Sequence, residues 1–291
     1  MPLTLLAQAI RRGLAAGLLG GLLAGVFALV VAHEPMEAAI RLEAADGAMA
    51  DGHDHDDPLF TRATQRAMLP VATTLVGLAV GGLFGLTHGA LRHRLHRRDD
   101  WANSLTLGAC GWAAVVVAPA LTFPPNPPGV GDGSVMSART GGYVASVAAG
   151  LGIAVALWLL ARRLRTTPLH PSVRHTLVLV AGALLTAALL AVLPSDHPAD
   201  GFPAELLWRF RLASLGTQTV LWVGIAVGSG LLWSRDETAR TAPSPGVRTR
   251  GRRDQRAASR TARTSWPMSS MSRLLPSTTP AVHKKPWIMP S

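Results

Sequence analysis

Charge is scarce in this sequence. Asp, Glu, Lys and Arg make up 15% of the 291 residues, against about a quarter in a soluble globular domain, and the mean hydropathy is +0.27. A water-soluble globule is therefore excluded. A single cysteine, Cys110, rules out an intrachain disulfide scaffold and a multi-cysteine zinc module. Lysine occurs only as Lys284 and Lys285, and no GxxxxGK[ST] run is present, which excludes a P-loop ATP site in this chain. Neither HExxH nor GxSxG occurs, and no nucleophile stands with a base, so the chain is expected not to be an enzyme. Even the net charge of +11 is local: 12 basic and 3 acidic residues follow Ser234, against 16 and 14 up to that point.

What is present is long apolar runs. About 30 Å of hydrocarbon, crossed at 1.5 Å per residue, needs about 20 residues nearly free of charge. Six stretches qualify: residues 13–32, 67–91, 101–123, 140–161, 176–193 and 212–234. The apolar core of the first is longer than a signal-peptide h-region, so it is read as a retained helix. The expected fold is all-α, a bundle of about six transmembrane helices in residues 1–234. The remainder, residues 235–291, changes to Arg, Ser, Thr and Pro without periodicity, and reads as a basic, disordered tail.

Basic residues in the connections set the orientation. Arg11 and Arg12, then Arg92, Arg94, Arg97 and Arg98, then Arg162, Arg163, Arg165 and Arg174 fall on the side of the tail, giving 22 of the 28 basic residues. The opposite side carries Arg41, Arg62, Arg66, Arg139, Arg209 and Arg211. Both termini are expected in the cytoplasm. The tail then lies over anionic lipid, each cation worth about 1 kcal/mol near the surface. Its charge has no aromatic interleaving, so no nucleic-acid partner is expected.

Gly13, Gly17, Gly21 and Gly25 form an unbroken four-residue series, as do Gly77, Gly81, Gly85 and Gly89. A step of four keeps residues near one helix face, and missing side chains let backbones approach where lipid offers no hydrophobic drive for association. A packing seam is expected. Between residues 123 and 142 the run PPNPPGVGDG cannot be helical, because proline removes donors and restricts its predecessor.

Chemistry-bearing residues gather between the first two spans. Residues 33–66 read as an external loop with eight carboxylates, three histidines and the centre DGHDHDD. Asp51, His53, Asp54, His55, Asp56 and Asp57 put nitrogen and oxygen donors within reach of one dication, a set suited to Co²⁺, Ni²⁺ or Zn²⁺ rather than Cu(I). The plain alternative is a solvated acidic loop. His33, Glu34 and Glu37 at the end of the first span, with Asp196 and His197 before the last, are the candidate entrance ligands, or else caps at the interface. His88 is the one clearly intramembrane ionisable residue, a functional candidate because charge is costly there. Gln218, Thr217 and Thr219 are candidates for a neutral polar lining or for holding helices together, Cys110 for a small core residue, and Trp233 for an interface anchor or packing. His93 and His96 share a face, but four arginines crowd them and oppose metal binding. A haem protein would need facing histidines within the spans, and only His88 lies well inside.

The order of these features resembles the CbtA family of bacterial membrane proteins. The resemblance rests on the glycine-rich first span, the acidic loop with histidines, GWAAVVVAPALTFPPNPPG, and FPAELLWRFRLASLGTQTVLW, Phe202 to Trp222; the tail lies outside it. It implies an inner-membrane cobalt uptake subunit working with a small single-span, histidine-bearing partner of the CbtB kind. It also implies five spans, as often ascribed to that family, so the first and the fifth are the ones to check. The competing expectation is a membrane metal sensor or scaffold through which no ion moves.

Overall fold

The opening run, LTLLAQAIRRGLAAGLLGGLLAGVF, holds good helix formers and no proline, and it forms α1, Leu3–Phe27. In this computed structural model the described residues are 3–49, 61–92, 94, 99–128, 130, 136–193 and 202–241. A five-residue π segment, Ala28–Ala32, carries α1 into α2, His33–Met49. After it come α3, Arg62–Leu91, and α4, Asp100–Trp112, which passes through a second π segment, Ala113–Val117, into α5, Ala118–Thr122. Then follow α6, Met136–Arg165, α7, Pro171–Val192, and α8, Ala204–Thr241. Among the described residues, six helical stretches are long and apolar enough to cross a membrane, the first and the fifth of the expected spans included.

Burial in α1 is the reverse of a soluble helix. Its buried residues are Ala9, Gly13, Ala16, Gly17, Gly20, Gly21, Ala24 and Gly25, whereas Leu18, Leu19, Leu22 and Leu23 are about half exposed. Small residues turn inward because close backbone approach drives association in lipid, and leucine already matches the solvent. The series Gly13, Gly17, Gly21 meets Gly85, Gly81, Gly77 in antiparallel register: a Cβ built on Gly13 would lie 2.8 Å from the Gly85 Cα, and one on Gly17 3.0 Å from that of Gly81. Gly25 falls against Pro70 and Thr73. A second small face of α1 meets α8, where a Cβ on Gly224 would lie 2.6 Å from the Gly20 Cα and one on Gly228 3.2 Å from the Ala16 Cβ. Thus α1 is wedged between α3 and α8, and Ala24, Phe84, Leu221 and Ile225 form the apolar core between them.

The α4 helix closes the same body through α8. Ser104 Oγ donates to the Ala226 carbonyl at 2.9 Å, and Trp112 Nε1 donates to Thr219 Oγ1 at 3.1 Å. A Thr219→Val chain is expected to lose about 0.6 kcal/mol, with about 1.7 as the ceiling for such bonds between membrane helices. Unfolding in mixed detergent checks this, and Trp112→Phe added to Thr219→Val should cost little more. On the other side α6 lays Gly150 against Ala114 and Ala118, and α7, with no buried residue, packs on α6.

Two expectations about the segments change. Residues 33–49 continue the first helix rather than opening a flexible loop, and Arg62 and Arg66 already belong to α3. The stretch after Pro35 is rich in Ala, Leu, Glu and Arg, all good helix formers. Pro35 has no N–H for the Val31 carbonyl, and the shift to π bonding at Ala28–Ala32 absorbs the missing bond. The 43-residue stretch Leu3–Ala45 is about 65 Å long at 1.5 Å per residue, twice the hydrocarbon thickness. Helix length of this order carries α2 beyond the lipid.

Candidate functional site

Polar groups gather at two ends of the body. At the end marked by Arg209, an open cleft of about 460 Å³ is lined by His33, Glu34, Glu37, Arg41, Arg62, Ala63 and Arg66. The turn spacing of α2 puts His33 and Glu37 side by side, Nδ1 to Oε1 at 3.9 Å. Glu34 points elsewhere and accepts from Arg209 Nη2 at 2.8 Å. Both partners of that pair are well exposed, so it contributes no more than about 1 kcal/mol. Arg41 bonds the Glu37 carbonyl and Arg62 bonds Gln65.

The structure therefore brings His33 and Glu37 together and assigns Glu34 to an ion pair. Among the described residues, no three of His, Cys, Asp and Glu stand close enough to hold a metal ion. Asp51, His53, Asp54, His55, Asp56, Asp57, Asp196 and His197 lie outside the described residues, as do His93 and His96. A metal at the cleft would need donors from those segments beside His33 and Glu37.

At the opposite end, His88 is fully buried in α3. Its ring stacks on Phe84 one turn away, centroids 6.3 Å apart, and meets the edge of Trp233 of α8 at 5.2 Å. Among the described residues, neither ring nitrogen has a hydrogen-bond partner, nor do Trp233 Nε1 and Ser229 Oγ. Over the indole of Trp233 lie two guanidiniums, Arg12 from α1 at 4.3 Å and Arg92 at the end of α3 at 4.7 Å. Arg92 Nη2 in turn binds Asp100 Oδ2 of α4 at 3.2 Å. Asp99 caps α4 by accepting from the Trp101 amide, which presents Asp100 in the first turn to Arg92.

Sequence reasoning singled out His88 but missed its surroundings. Of the two readings of Trp233, packing holds: it is 2% exposed, a buried lid over His88. In the sequence Arg12 and Arg92 serve only as markers of orientation, and Asp100 has no assigned role. The available signal was spacing: Phe84 and His88 are four apart on α3, as are Ile225, Ser229 and Trp233 on α8. Two further expectations are corrected. Cys110 is exposed, because α4 turns Ser104, Gly108 and Gly111 to its neighbours instead. Gln218 also faces outward, since Gly216 and Thr219 take the contacts with Phe27 and Trp112.

An all-helical body with six membrane-length helices, small residues inward and leucines outward defines a multi-pass membrane protein. Its polar cleft at one end and buried imidazole near the other are where chemistry is available. The family model described as "Probable cobalt transporter subunit (CbtA)" matches residues 6–234. The chain belongs to the CbtA family. No curated protein and no solved structure matches it.

Proposed function

We propose that this chain is the ion-carrying subunit of a cobalt uptake system in the bacterial inner membrane and has no catalytic activity of its own. The observation that carries this reading is the family match over residues 6–234 on a body of six membrane-length helices. The arginine-rich ends, with Arg12, Arg92 and the tail, face the cytoplasm by the charge rule for loops. The cleft with His33 and Glu37 then faces outward.

In this reading Asp51, His53, Asp54, His55, Asp56 and Asp57 capture the dication and raise its local concentration. His33 and Glu37, with Asp196 and His197, receive it at the mouth. Glu34 keeps Arg209 neutralised, so that cation does not repel the incoming ion. The tightly packed α1, α3 and α8 are the scaffold past which it moves. Two charges falling through 100 mV gain about 4.6 kcal/mol, equivalent to about three decades of accumulation, so no ATPase is required in this chain. A small single-span, histidine-bearing subunit of the CbtB kind is the expected partner, and the basic tail rests on anionic lipid.

Uptake of radioactive Co²⁺ into proteoliposomes, with an inside-negative potential, tests the reading. The expected result for His53→Ala, Asp54→Ala and His55→Ala together is at least a tenfold loss of uptake at submicromolar Co²⁺, with much of the rate restored at high concentration. Unchanged uptake in the triple variant removes loop capture. No uptake by the unaltered chain, with or without its partner, leaves the sensor or scaffold reading in its place.

A further inference from the structure

Buried polar groups in a membrane body are normally paired, because each unsatisfied one is costly in a medium without water. Around His88 three are not: the imidazole nitrogens, Ser229 Oγ and Trp233 Nε1. His88 and Ser229 are both 0% exposed. Ser229 sits one turn beyond Ile225, which packs with Phe84, and one turn before Trp233, which packs with His88. The stripe on α8 therefore puts Ser229 on the face that meets α3, between the residues that pack on Phe84 and on His88. A neutral imidazole keeps one nitrogen with a free lone pair, and the hydroxyl adds an oxygen, a donor pair suited to a borderline dication. Among the described residues, no hydrogen bond between helices uses these atoms.

We propose that His88 and Ser229 form a membrane-buried transit site for a divalent transition metal, closed at the arginine-bearing end by the Trp233 indole under the clamp of Arg12 and Arg92. The clamp joins four helices: Arg12 comes from α1, Arg92 from the end of α3, Trp233 from α8, and Asp100 of α4 holds Arg92. Among the described residues, the charged groups facing the site are thus two guanidiniums and one carboxylate. A dication arriving at His88 repels both guanidiniums and attracts Asp100, which pulls Arg92 from the indole. The cargo itself favours opening, and with the site empty the clamp is the stable arrangement. This rests on the transport reading above, deepening it with a second site and a gate.

The test uses the full chain with His53→Ala and His55→Ala, so that the acidic loop does not mask other sites. Equilibrium dialysis with radioactive Co²⁺ should find, beyond any ion held at the His33 and Glu37 mouth, one bound ion per chain that His88→Phe removes. The same substitution should raise Tm in metal-free detergent by about 2–4 °C, since an unpaired imidazole is replaced by an apolar ring between Phe84 and Trp233. A histidine with a purely structural role would give the opposite shift. Ser229→Ala, which deletes one oxygen and little packing, should weaken Co²⁺ binding about tenfold and serves if His88→Phe does not fold. Trp233→Ala should raise the rate of Co²⁺ passage in proteoliposomes several-fold. An unchanged number of bound ions in both His88→Phe and Ser229→Ala overturns the site, and a Trp233→Ala rate at or below that of the unaltered chain overturns the gate. Absence of any cobalt flux alongside loss of the ion in His88→Phe would reject transport while leaving the site standing.

Discussion

Gly17→Val is expected to yield no monodisperse protein. A Cβ at this position would collide with the Gly77 carbonyl and lie 3.0 Å from the Gly81 Cα. Both are backbone atoms of α3, so no rotamer change relieves the contact, and α1 and α3 must part along the whole series from Gly13 to Gly21. Overpacking usually costs 1–3 kcal/mol. Separation of a backbone-to-backbone interface belongs with the exceptional substitutions above about 4 kcal/mol. Size-exclusion chromatography of a fluorescent fusion is the measurement. Gly152→Ala is the control: a Cβ there meets nothing within 4 Å, and replacing a mid-helix glycine should stabilise by up to about 1 kcal/mol. Equal recovery of the two variants would show that α1 and α3 are not in van der Waals contact.

Asp100→Ala carries the second large effect. Asp100 is 6% exposed and is the partner of Arg92, whose guanidinium is itself mostly buried over Trp233. Removing the carboxylate leaves that cation without its counter-charge, a change worth about 3–5 kcal/mol when a buried pair is broken on one side. Arg92→Leu in the same chain removes the stranded charge and should recover most of the loss, at the expense of one of the two guanidiniums on the indole. Thermal unfolding in detergent of the two single variants and the double variant gives the coupling between the residues. Additive losses would mean that the pair does not hold α3 to α4.

The candidate site was legible unevenly. His88 could be found because an ionisable residue inside an apolar run is a local anomaly. Trp233, Arg12, Arg92 and Asp100 could not, because their meaning lies in contacts among four helices separated by up to 221 positions, from Arg12 to Trp233. Each alone resembles the ordinary furniture of a span end. The reading of residues 33–49 as a loop went astray because acidity and the histidines drew it. Helix propensity after Pro35 and a π segment ahead of it prevailed in the structure.

The number of membrane-length helices among the described residues was decided by local chemistry. Hydrocarbon has one thickness, each helical residue has one rise, and a charge-free run either spans or falls short whatever its neighbours do. The glycine spacing likewise announced which helix faces lack side chains. Which faces meet, and in what register, depended on three-dimensional packing. So did the closing of one imidazole beneath an indole and two guanidiniums. Those arrangements come from the joint fit of α1, α3, α4 and α8, and close approach of backbones is a property of pairs of helices that no single run of residues possesses.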